Sequence, residues 1–151
     1  VKLLVEELGL GLSYLEQKIT VGDKPIQVEA IRPHLYKHLN AAGSLYLEIR
    51  NAAGTLLKTS DAVTIQSITD ASGNYFHGVV RFYIKCGLLP NTTYRVRLVS
   101  TGYAFSESAY IGWCRGFDLG RYSAEFSPAI GASSALDMEI WEMKNVLKGE
   151  L

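Results

Sequence analysis

Successive segments of this chain alternate apolar and polar residues with a period of two, and turn residues separate them at short intervals. In Tyr94–Val99, Tyr94, Val96 and Leu98 fall on one side, with Arg95 and Arg97 on the other. In Ser44–Arg50, Leu45, Leu47 and Ile49 share a face, opposite Tyr46, Glu48 and Arg50. An extended strand points successive side chains to opposite faces, so these segments predict strands buried on one face.

Other segments follow the same rule. Lys24–Ile31 alternates up to Pro33, with Leu35, Tyr36 and Leu39 continuing it; proline cannot donate to a ladder, which predicts an edge strand or a bulge there. Asn40–Gly43 and Asn51–Gly54 read as turns, and the segments around them as a meander. Ala62–Ile68 is a shorter strand candidate, and Thr69–Asn74 is a loop by composition. Tyr75–Lys85 reads as one strand, with Phe76, Val80, Phe82 and Ile84 on one side. Gly87–Thr93 is a turn, Ser108–Cys114 is extended, Arg115–Ser134 reads as a long loop, and Leu136–Met143 closes the sheet.

Many short strands spaced by about ten residues cannot each bury a face unless a second layer covers them. A parallel α/β fold needs crossover helices, and these connections are too short and turn-like. The expectation is an all-β fold, an antiparallel two-sheet β-sandwich. Residues 15–145 form the domain, 146–151 a tail, and 1–14 an N-terminal arm or first strand. Leu3, Leu4 and Leu8 also fit one face of a short helix, but Gly9 and Gly11 interrupt it. Glu6 and Glu7 break the first apolar stretch and no small-residue cleavage site follows, so the segment is expected in the mature protein.

Charge and composition narrow the function classes. The 151 residues suit one domain, and at 48% apolar and 20% charged they can bury a core without metals or disulfides. Fifteen basic and fifteen acidic side chains give zero net charge. Nucleic acid is therefore not the expected partner, since phosphate binding needs a basic excess. Neutrality lowers colloidal repulsion and favours self-association. No apolar run approaches a membrane span, so no membrane partner is expected.

No constellation for catalysis stands out. His34 and His38 could share a helix face for zinc, but Pro33 and the strand pattern oppose a helix, and no metalloprotease glutamate lies between them. His77 falls on the polar face of its strand. The sequence lacks a Gly-x-Ser-x-Gly elbow and a P-loop, and Gly9-x-Gly11 has no third glycine for a dinucleotide fingerprint. Cys86 has no helix start to activate it, and Lys85 should point away from it. Cys86 and Cys114 are expected as buried free thiols, with one inter-strand disulfide left open. Glu139 and Glu142 face opposite ways along a strand, and Asp61 and Asp70 lack calcium-loop spacing. No catalytic residue, cofactor or metal is predicted. Asn91-Thr92-Thr93 spells a glycosylation sequon, but after Pro90 it is expected as turn chemistry.

Aromatic residues reach 11%, and Tyr103, Phe105, Tyr110, Trp113, Phe117 and Tyr122 cluster among Arg115, Asp118 and Arg121. Three readings stay open: packing inside the sandwich, a protein interface, or a sugar site in which rings stack and charges bond hydroxyls. The sugar reading would use Trp113, Arg115, Asp118 and Tyr122.

The order of Gln17–Val21, Ile26–Ile31, Gly43–Arg50, Leu88–Leu98 and Tyr110–Trp113 resembles the jelly-roll modules of bacteriophage virion proteins and of carbohydrate-binding-module-like domains. The likeness spans about residues 15–143 and rests on pattern, not on one motif. It implies a non-enzymatic role in the virion, which assembles in the host cytoplasm. The favoured form is a capsid decoration, or cement, protein that self-associates and clamps subunits of the major capsid protein. A tail or fibre component and a carbohydrate-binding module are the alternatives. Sugar-binding modules are commonly joined to an enzyme, and the absence of a linker composition here favours the first role. The contact residues expected are Leu3, Leu4, Val5 and Leu8 of the arm, with Tyr103, Phe105, Phe117 and Tyr122 of the loops; the arm would add a strand to a neighbour's edge.

Overall fold

The computed structural model describes residues 5–8, 14–38, 43–65, 70–72, 75–101, 111–116, 123–127, 135–136 and 138–142. Among these the regular structure is strand, arranged as two antiparallel sheets packed face to face, a β-sandwich.

The larger sheet is built on β3 (Ile26–His38). One edge of β3 carries β8 (Tyr75–Val79) and β9 (Phe82–Leu88). The other carries β11 (Ile111–Gly116) and β14 (Met138–Glu142). β7 (Asp70–Ser72) pairs with β8, while β1 (Val5–Leu8) and β13 (Ala135–Leu136) pair with β11. The smaller sheet runs in the order β12 (Ser123–Ser127), β2 (Tyr14–Thr20), β10 (Thr93–Thr101), β4 (Ser44–Asn51) and β5 (Leu56–Thr59), with β6 (Val63–Thr64) also on β4.

The alternation produces the core as expected. Leu45, Leu47 and Ile49 of β4, Tyr94, Val96 and Leu98 of β10, and Phe82 and Ile84 of β9 are buried in one cluster with Leu15, Ile19, Leu35 and Trp113. Fully burying one such side chain is worth about 1.5–3 kcal/mol, against about 0–1 kcal/mol for a surface ion pair. The apolar interior therefore dominates the stability.

Several expectations need correction. The meander is absent: β3 lies in one sheet and β4 in the other, because the chain crosses between layers to cover both inner faces. Of the two expected turns, Asn51–Gly54 joins neighbours, β4 and β5; Gly54 takes φ 92, and its N–H donates to the Asn51 carbonyl at 2.9 Å. Pro33 lies in the middle of the central strand, not at an edge. The disturbance falls on the facing strand, where the expected Tyr75–Lys85 run breaks between Val79 and Phe82. Val80 N–H still donates to the Pro33 carbonyl at 3.3 Å.

The strict alternation of Lys24–Ile31 also fails. Val28 and Ile31 both enter the core although they differ by an odd number, because a register irregularity between Val28 and Ala30 resets the inward phase. β12 lies inside the expected long loop and β7 inside the expected Thr69–Asn74 loop. β5 shows no alternation in its sequence, and all four of its residues are exposed.

Candidate functional site

The N-terminal segment is paired within its own chain. β1 runs antiparallel to β11, with Val5 opposite Cys114 and Leu8 opposite Ile111. This corrects the helix option for these residues: Val5–Leu8 is a strand, and it ends the order of the larger sheet. Leu3 and Leu4 lie outside the described residues, as do Tyr103, Phe105, Phe117, Asp118 and Tyr122.

Trp113 corrects the sugar reading. Its ring is 0% exposed and belongs to the core cluster, so it offers no face for a sugar to stack on. Its position on β11, opposite Leu35 of the central strand, directs it inward. Arg115 lies on the same strand, opposite Leu136 of β13. Trp113 and Arg115 are thus the two members of that site among the described residues.

His34 and His38 are on a strand, as Pro33 implied, and among the described residues no group of three His, Cys, Asp or Glu could hold a metal ion. Cys86 is a free, half-buried thiol, so no Cys86–Cys114 disulfide forms. Burial pushes the Cys86 thiol up, against a smaller opposing pull from Lys58. Asn91 occupies the turn between β9 and β10 with φ 52, a left-handed conformation that asparagine tolerates better than most residues. Its N–H donates to the Gly22 carbonyl at 2.8 Å, which agrees with turn chemistry.

The polar feature that the structure does assemble lies on the outer face of the smaller sheet. Glu16 of β2 is 0% exposed there and accepts from two arginines of β10. Arg95 Nη1 donates to Glu16 Oε1 at 2.9 Å, and Arg97 Nε donates to Oε2 at 2.7 Å. The Arg97 guanidinium also lies 3.8 Å from the centre of the Tyr14 ring. Arg95 Nε donates to the Ala52 carbonyl at 3.0 Å. Beside them, Arg50 pairs with Glu48 and donates through Nη1 to the Gly54 carbonyl at 2.8 Å. Burial first, then the Glu48 carboxylate and a hydrogen bond to it, raise the Tyr46 phenol, while Arg50 opposes them.

Sequence reasoning placed Arg95, Arg97, Tyr46, Glu48 and Arg50 on outer faces but missed Glu16. The strand Tyr14–Thr20 meets β10 only through long-range pairing, with Glu16 opposite Arg97. The available signal was the polar alternation of Tyr14, Glu16 and Lys18, whose apolar counterparts Leu15 and Ile19 are core.

A second surface feature is apolar. Leu56 and Leu57 of β5 are 47% and 46% exposed, and β5 ends the order of its sheet, so its outer edge carries no strand among the described residues. Tyr83 and Leu89 are exposed as well. Compared with known proteins, the chain matches no family model and none of the curated protein sequences.

Proposed function

We propose that this protein is a non-enzymatic structural component of a virion, a decoration protein whose β-sandwich domains self-associate and clamp neighbouring capsid subunits. The observation that carries this reading is the outer edge of β5, which carries no strand among the described residues, with Leu56 and Leu57 turned to solvent. An unprotected edge with apolar side chains is a template for adding another strand. Neutral net charge lowers the repulsion between copies. The pattern likeness to phage jelly-roll modules supplies the virion context. The carbohydrate alternative is the weaker reading, because Trp113, the centre of its site, is enclosed.

Size-exclusion chromatography with light scattering tests the self-association. The wild-type chain should elute above its monomer mass of 16.7 kDa. The double substitution Leu56→Glu and Leu57→Glu should return it to monomer with an unchanged β-type circular dichroism spectrum. Co-sedimentation with purified phage particles tests the partner: head fractions support capsid decoration, and tail fractions replace it with a tail role. A strict monomer that sediments with neither removes the proposal.

A further inference from the structure

On the outer face of the smaller sheet, two arginines share one carboxylate among the described residues. Directly opposed residues of antiparallel strands share a face, so the register arranges them in rows. One row is Glu16, Arg97 and Glu48 across β2, β10 and β4. The next is Lys18, Arg95 and Arg50, with Glu125 of β12 opposite Lys18. Glu48 pairs with Arg50, and Glu125 stands in register with Lys18. Arg95 and Arg97 then share one carboxylate, Glu16. Among the described side chains these two arginines thus have one carboxylate between them, and they are 24% and 17% exposed.

Both guanidinium groups are fixed. Arg97 is held by the Tyr14 ring and by Glu16, and Arg95 by Glu16 and the Ala52 carbonyl. A guanidinium carries five N–H donors in a rigid fork. Among the described residues Glu16 is the one acceptor on Arg97, and it is already shared, so donors of Arg97 remain open. Donors fixed in advance lose little conformational entropy when an anion arrives.

We propose that this face docks a protein partner through an aspartate or glutamate side chain, whose carboxylate takes the open edge of the Arg97 guanidinium and completes a cluster of two arginines and two carboxylates. The guanidinium fork matches a carboxylate, and the second acid supplies a second negative charge. A protein fits better than a small anion because of the surroundings. Tyr14 and Tyr46 share the adjoining row, and exposed Leu56 lies opposite Arg50. Arginine and tyrosine beside apolar surface make up the energetic centres of protein interfaces. The inference rests on the proposed assembly role only in taking the partner to be a protein.

Titration of the full-length protein, followed by nuclear magnetic resonance, tests it with three probes at matched ionic strength: an oligoglutamate peptide, an oligogalacturonate and sodium sulfate. The peptide should bind tightest, shift the signals of Arg97 and Tyr14, and weaken as salt rises. Arg97→Gln should reduce peptide affinity by about tenfold, the scale of one charge-assisted pair. Arg97→Lys keeps the charge without the fork; it should bind with intermediate affinity, and it carries the test if the glutamine variant does not fold. Lys85→Gln, an exposed change on the other sheet, should bind like wild type. Equal peptide affinity in wild type and both Arg97 variants overturns the proposal, as does tighter binding of either other probe or no saturable peptide binding. Peptide binding without particle association sinks the assembly role alone; particle association without peptide binding sinks this docking site alone.

Discussion

Glu16 lies on the outer face of the smaller sheet yet is shut off from solvent, with Arg97 Nε 2.7 Å from its Oε2. Two guanidinium groups, one of them stacked on the Tyr14 ring, bind a carboxylate that the strand pattern alone would leave wet. Breaking such a group from one side costs more than forming it gains, because the partners keep their desolvation penalty.

Glu16→Gln removes the carboxylate that Arg95 and Arg97 share. The expected loss is about 3 kcal/mol, the low end for an enclosed ion pair, because both arginines keep a solvent-facing side. Urea unfolding measures it as a lower midpoint at unchanged slope. A midpoint equal to wild type would show that the arginines are solvated without Glu16.

Trp113→Ala should act as a core deletion. Removing a fully buried tryptophan costs about 3–5 kcal/mol. Thermal unfolding should show a large fall in Tm, accompanied by loss of the near-ultraviolet signal of a fixed indole. An unchanged Tm would place the ring at the surface and reopen the sugar reading.

Deleting residues 1–13 takes β1 from the edge of the larger sheet and leaves β11 with an uncovered edge. Amide hydrogen exchange should speed up at Ile111–Cys114, the residues opposite β1. The truncated chain should also aggregate more readily, because an open edge invites pairing. Unaltered exchange at these amides would show that β1 contributes no pairing in solution.

The Cys86 thiol has its acidity reduced mainly by burial, so its folded-state pKa lies above the ordinary value of 9.0. Its contribution to stability is complete below that ordinary value and is lost as pH rises through the folded one. Alkylation at neutral pH should be slow in the native protein and fast after unfolding, with the native rate rising only in the alkaline range. Rapid native labelling at neutral pH would show an exposed or activated thiolate.

The fold class was legible because inward alternation is local. Leu45–Leu47–Ile49 and Tyr94–Val96–Leu98 each declare a buried face within a few residues, and both are in the core. β5 was illegible for the opposite reason: Leu56 and Leu57 are both exposed, so no in-and-out pattern marks it. Val28 and Ile31 misled because the resetting of phase arises from the register with β9, not from either residue. Trp113 was ambiguous because an aromatic ring among charged neighbours reads alike in a core and in a binding face. Its pairing with Leu35 on the central strand separates the two cases.

Alternating apolar residues and frequent turns made two covered sheets the outcome available to this chain, since each strand has one face to hide and the described residues offer no helix to hide it. Which strands became neighbours was decided by contacts between distant segments, whose energies depend on how whole layers fit. The meeting of Glu16 with Arg95 and Arg97 belongs to that second class: their separation along the chain is 79 and 81 residues, and only the closing of the sheet makes them one site.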